Sequence, residues 1–229
     1  MRKELVDGIR DSIPIVLGYI PLGFAFGVLA GESGLKVFEA SLMSVLCFTG
    51  AGQYVAIGLL KSGATLYTIF LSTALVNLRY VLFASSLVPY IKGRIKPPIA
   101  GMLSYGITDE TFTVAINRYK HTAATAWYMA GLNITSHISW ISSTVLGIMI
   151  GTLLGDTNRL GLGFALPAMY ISLLVLLIGK KNDVIVAVSS AIMCILIGWL
   201  FPGSLVNLSN IIIATVIGAT IGVLFNDGN

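Results

Sequence analysis

The chain has 229 residues, of which 56% are hydrophobic and only 10% charged, and its formal net charge is +4. Soluble domains carry about 25% charged residues, so this inventory cannot cover a water-exposed globule. With a mean hydropathy of +0.90, a polytopic all-α membrane protein is expected. The basic residues sit in short gaps between apolar runs, the pattern of membrane orientation signals and not of a nucleic-acid surface.

Residues 1–12 read as an interfacial amphipathic lead-in, because Leu5, Val6, Ile9 and Ile13 share one helical face. Glu4, Asp7 and Asp11 interrupt the stretch, which excludes a cleavable signal peptide. A spanning helix needs about 20 apolar residues. On that measure seven to eight hydrophobic segments follow, near 13–31, 38–60, 64–90, 98–117, 124–153, 160–179, 184–201 and 204–225. With no linker or soluble insertion between them, residues 1–229 are expected to form a single integral membrane transporter domain.

Several segments are expected to be discontinuous or re-entrant. The first contains Pro14, Gly18, Pro21, Gly23 and Gly27, the second Thr49-Gly50-Ala51-Gly52-Gln53, and the sixth Gly161, Gly163 and Pro167. Irregular backbone at membrane depth survives only where protein or a water-filled cavity surrounds it, and transporters build their sites from such helices. Pro21-Leu22-Gly23-Phe24-Ala25-Phe26 echoes Leu162-Gly163-Phe164-Ala165-Leu166-Pro167, a faint trace of an inverted repeat. Two topologies stay open. Eight full spans leave the Lys92/Arg94/Lys96 loop outside, whereas re-entrant first and fourth segments leave only Lys61 and Arg159 there, in better accord with the positive-inside rule.

The third segment carries Asn77 and Arg79 deep in an apolar run, with Thr73, Asn77 and Tyr80 along one face. The fourth carries Thr108-Asp109-Glu110-Thr111-Phe112. Intramembrane ionisable groups face the bundle interior and pair, so one carboxylate is expected to neutralise Arg79 and the other to take a substrate cation or a proton. Glu110 is the expected ion-pair partner and Asp109 the expected substrate group. In the fifth segment Asn133, His137, Trp140 and Thr144 share a face. There His137 is either hydrogen-bonded packing or a proton relay. Cys47 and Cys194 lie within apolar runs, where buried thiols act as small apolar groups. Zinc spacings, phosphate loops and nucleophile elbows are absent from the sequence. No catalytic residue, metal centre or cofactor is expected, and the chain does not read as an enzyme.

Four motifs in order resemble the AzlC family: Pro21-Leu22-Gly23-Phe24-Ala25-Phe26-Gly27, Gly50-Ala51-Gly52-Gln53, Asn77-Leu78-Arg79-Tyr80-Val81-Leu82 and Thr108-Asp109-Glu110-Thr111-Phe112. The likeness is clearest from residue 12 to about 180 and departs at Tyr80, where many members carry His. It implies the large subunit of a bacterial branched-chain amino-acid exporter, in the cell inner membrane, with a small hydrophobic AzlD-type partner and ion-gradient coupling. A zwitterionic substrate then needs an anion site, expected at half-helix N-termini near Pro21 or Gly50 with Gly52, Gln53 and Thr108 nearby. It also needs a cation site at Asp109 or Glu110 and an apolar pocket at Phe24, Phe26 and Phe112. A passive small-solute channel and a non-transporting assembly subunit are the alternatives.

Overall fold

A computed structural model describes residues 2–151, 164, 167–168, 171, 174–175, 178, 180–203 and 209–226. These residues hold ten α-helices and no strand. They are α1 (Arg2–Asp11), α2 (Ile13–Glu32), α3 (Val37–Leu46), α4 (Gly50–Lys61), α5 (Leu66–Ile91), α6 (Pro97–Ser104), α7 (Asp109–His121), α8 (Ala126–Gly151), α9 (Lys181–Leu200) and α10 (Ser209–Asn226). Four of them, α2, α5, α8 and α9, are long and apolar enough to cross a membrane. The sixth segment, and with it the second half of the suspected repeat, lies largely outside the described residues.

The second and fourth segments are each cut in two. Residues 38–60 divide at Cys47–Thr49 into α3 and α4, and residues 98–117 divide at Tyr105–Thr108 into α6 and α7. None of the four pieces exceeds 13 residues, well short of the roughly 20 that a span needs. The first segment is different: α2 runs without interruption through Pro21. The half-helix N-terminus expected near Pro21 therefore does not form. Proline removes one backbone donor, but α2 is held over its length by close packing on α8. A side chain at Gly27 would collide with the Thr144 carbonyl, and one at Gly147 with the Phe24 carbonyl. Small residues that let two backbones touch are a standard device of membrane helix pairs.

The lead-in is docked. Its acidic face, Glu4, Asp7 and Asp11, converges on Arg118 at the end of α7, at 4.0, 3.1 and 3.6 Å. The same guanidinium lies over the Tyr128 ring, 4.9 Å from its centroid, and Tyr128 donates to Asp11 at 2.8 Å. Val6 and Ile9 point outward, and the exposed stripe continues through Ile13, Leu17 and Ile20 of α2. Helix α1 thus turns its acidic side chains toward the bundle, while Arg2, Lys3 and Arg10 are exposed together with Val6 and Ile9.

Two compact units divide the chain, residues 1–166 and 167–229. The first holds α1–α8, with a core of Tyr19, Phe26, Tyr54, Tyr128, Leu132 and Trp140. In the second, α9 packs on α10, and Asn210 reaches the Cys194 sulfur at 3.4 Å. The thiols differ from expectation: Cys194 is half-buried and Cys47 is exposed. Cys47 ends α3, beside Val45 and Leu46, which are exposed too.

Candidate functional site

A broken helix exposes backbone groups that a membrane interior cannot solvate, each costing several kcal/mol if left unpaired (on the order of 2–7 kcal/mol). Helix α8 supplies much of what the breaks need. His137 donates from Nε2 to the Ser44 carbonyl in the last turn of α3, at 3.0 Å. One turn earlier, Asn133 donates to the Leu103 carbonyl near the end of α6, at 2.8 Å. Four residues of α-helix span about 6 Å, so both breaks sit at nearly the same level, in the middle of a 26-residue span. Trp140 Nε1 donates to the Gln53 carboxamide at 2.8 Å, and Gln53 donates in turn to Ser44 Oγ at 3.0 Å. Ser44 Oγ and Thr144 Oγ1 are 3.0 Å apart. The polar face of α8 is a strut that ties α3, α4 and α6 together.

Each break then restarts as a capped helix. Thr49 accepts the Gly52 N–H at 3.3 Å to start α4. Thr108 and Thr111 cap α7 reciprocally, each hydroxyl accepting the other residue's N–H, at 3.3 and 2.7 Å. Caps of this kind leave other first-turn N–H groups without an intrahelical acceptor, and the dipole adds about half a positive charge at each start.

Between these starts lies the charge constellation. Arg79 Nη1 pairs with Asp109 Oδ1 at 2.9 Å, and its guanidinium lies 5.2 Å from the Tyr80 ring centroid. Tyr80 donates to Thr49 Oγ1 at 3.1 Å, and Thr49 donates to Asn77 Oδ1 at 2.7 Å. Glu110 takes a different partner. The Tyr19 hydroxyl of α2 donates to Glu110 Oε2 at 2.7 Å and lies 2.7 Å from Thr108 Oγ1. The assignment of the two carboxylates is therefore the reverse of the sequence expectation. Asp109 balances Arg79, and Glu110 rests on a neutral phenol. Asp109 and Glu110 are consecutive in a helix, about 100° apart, so one faces α5 and the other α2.

Other expected residues fall elsewhere. Gln53 is fully buried with its carboxamide engaged at both ends, so it braces the break. Phe26 is fully buried too, between Tyr54 and Trp140, with centroids at 5.7 and 6.2 Å. Phe24 is half-buried and Pro21 exposed. Phe112 stacks on Phe83 at 4.5 Å, and Phe83 leads on to Tyr80 at 6.1 Å. His137 lies against Phe48 at 4.2 Å. Thr73 bonds back to its own helix at Ile69 and Phe70. Gly50 opens α4 and packs beside Trp140. Gly52 is pressed between Thr49 and Asn77, where a side chain would lie 2.9 Å from Thr49 Cγ2 and 3.1 Å from Asn77 Nδ2. The reading of the sequence missed Tyr19 and Thr49. Thr49, three residues before Gly52, carried an N-cap signal; Tyr19 carried none, because its partners are 89 and 91 residues away.

Residues 14–154 match the AzlC protein family, a stretch that contains both breaks and the whole constellation. The inner membrane protein YgaZ of Escherichia coli is 32% identical over 79% of this chain and 76% of its own length. An uncharacterized membrane protein of Archaeoglobus fulgidus is 37% identical over 73% of each chain. The branched-chain amino acid transport protein AzlC of Bacillus subtilis is 26% identical over 70% of this chain and 62% of its own. No solved structure matches the chain.

Proposed function

Because this chain belongs to the AzlC family, we propose that it is the large subunit of an inner-membrane exporter of branched-chain and similar apolar amino acids. It works with a small hydrophobic AzlD-type partner and is driven by an ion gradient. The naming of the Bacillus subtilis relative as a branched-chain amino acid transport protein supports the substrate class. The observation that carries the reading is the division of labour between adjacent carboxylates beside two helix starts.

A zwitterion needs opposite charges a few ångströms apart, within an apolar surround. The start of α4 offers backbone N–H groups and the positive end of a helix dipole for the substrate carboxylate. Glu110 is not committed to Arg79 and takes the ammonium. Tyr19 orients it, because a phenol donor fixes the carboxylate without cancelling its charge. Asp109 keeps Arg79 neutralised, which stops the guanidinium from trapping the substrate carboxylate as a tight, immobile pair. The stacked rings of Phe83 and Phe112 supply apolar surface beside the charges. A neutral substrate gains nothing from the membrane potential, whereas each co-moving charge gains about 2.3 kcal/mol per 100 mV, so concentrative export needs a coupled ion.

Proteoliposomes carrying the protein with its partner test this by counterflow of labelled isoleucine, leucine, valine, lysine and glutamate. Apolar amino acids exchange and charged ones do not. Glu110→Gln lowers isoleucine counterflow at least about tenfold, the effect of losing one charge-assisted contact of about 1.5–3 kcal/mol. Undiminished counterflow in that variant removes Glu110 from the site, and absence of any amino-acid exchange by the wild type removes the function.

A further inference from the structure

The two breaks also create two helix C-termini, and these meet. Tyr105, which ends α6, donates its hydroxyl to the Val45 carbonyl in the last turn of α3. Its ring also meets the His137 ring edge-on, with centroids 5.6 Å apart. The ends of α3 and α6 are thus bridged by the Tyr105 side chain, and each brings about half a negative charge from its dipole. Asn133 stands against the α6 side of this junction, one turn before His137, which holds the α3 side. Its carboxamide packs on Gly106 in the α6–α7 break, and its nitrogen is spent on the Leu103 carbonyl. Asn133 is only 5% exposed, and its Oδ1 is sealed off and accepts no hydrogen bond from the described residues.

An orphaned amide oxygen beside two carbonyl-rich helix ends is a place made for a positive charge. The groups around it are neutral: Tyr105, His137, Asn133 itself, and the Ser44, Val45 and Leu103 carbonyls. These carbonyls already accept from His137, Tyr105 and Asn133 and can offer a cation only a remaining lone pair. Among the described residues no three His, Cys, Asp or Glu side chains cluster, which argues against a transition metal. Calcium sites are likewise built on carboxylates. Neutral oxygens with a net negative potential suit a hard monovalent cation, and half-helix C-termini serve this purpose in ion-coupled transporters. We propose that the junction of the α3 and α6 C-termini against Asn133 binds an alkali-metal cation, with Asn133 Oδ1 as a ligand. Its place as the driving ion rests on the transport reading above; its binding does not.

The binding is therefore measured without any amino acid. Purified protein with its partner is equilibrated with radiolabelled sodium and, separately, radiolabelled rubidium as a potassium stand-in. Saturable binding of at least one ion, displaced by the unlabelled salt but not by choline chloride, is expected. Asn133→Leu weakens it at least about tenfold, the lower range for metal sites that lose a supporting group. Asn133→Asp keeps an oxygen in place and binds at least as tightly as the wild type, which controls for misfolding of the leucine variant. Failure of both ions to bind saturably to the wild type overturns the site, as does wild-type binding by Asn133→Leu, which would leave the oxygen a water ligand only. Intact isoleucine counterflow without alkali-ion binding sinks this site alone. Ion binding without amino-acid exchange sinks the transport reading alone.

Discussion

Replacing Arg79 by Met and Asp109 by Asn, singly and together, tests the pairing on which the site depends. The two groups are 2.9 Å apart, with side chains 25% and 18% exposed. At an effective dielectric of 20 their gross Coulomb attraction is about 6 kcal/mol. Desolvation cancels much of this, and the net coupling of close, hydrogen-bonded charge pairs falls at about 2–4 kcal/mol. Either single substitution leaves one half-buried charge without its main partner and costs about 3–5 kcal/mol. The double variant removes both charges and is more stable than either single one. Reversible unfolding in mixed micelles gives the four free energies of the cycle. A second cycle with Arg79→Met and Glu110→Gln is the control. There the effects add to within about 0.5 kcal/mol, as for sites that do not share a contact. Coupling in the Glu110 cycle as large as in the Asp109 cycle would refute the division of labour between the carboxylates.

Tyr19→Phe keeps the ring against Trp140 and Phe48 but removes the bond to Glu110. Counterflow kinetics show KM for isoleucine rising about tenfold, in line with a charge-assisted bond of about 1.5–3 kcal/mol. Gln53→Leu strands the Trp140 N–H, whose acceptor is the Gln53 carboxamide, and lowers unfolding free energy by about 1–3 kcal/mol. Adding Trp140→Phe recovers part of that loss. Gly52→Ala forces Thr49 and Asn77 apart by a few tenths of an ångström, and counterflow falls while the folded yield holds. Arg118→Gln frees the acidic face of α1, so amide exchange accelerates across residues 2–11.

The chemistry-bearing residues were legible because a membrane interior makes them conspicuous. Arg79, Asp109 and Glu110 stand out in runs where such groups are costly, and the glycines of Gly50 and Gly52 marked a true break. Which carboxylate meets Arg79 was not legible. Adjacent positions on a helix differ only by rotation, and that rotation is set by how the Thr108–Thr111 cap seats α7 against α2 and α5. Tyr19 was illegible for a related reason. A tyrosine in an apolar helix is ordinary until a carboxylate arrives from across the fold.

Pro21 shows what proline alone does not decide. Counted locally, α2 with its prolines and glycines was at least as good a candidate for a break as the stretch at Gly50. A helix breaks stably at membrane depth only where something else takes up the freed backbone groups. For α2, α8 offers a close backbone at Gly147, which favours continuity. For α3 and α6 the same helix offers donors, His137 and Asn133, aimed at the terminal carbonyls. The breaks are therefore written as much in the fifth hydrophobic segment as in the segments that break. His137 accordingly acts here as a cap. Substituting it by Asn, which keeps a donor, preserves more stability than substituting it by Leu, which leaves the Ser44 carbonyl unpaired at about 1–3 kcal/mol. Equal losses in thermal unfolding for the two variants would show that the capping bond is not what holds the α3 break.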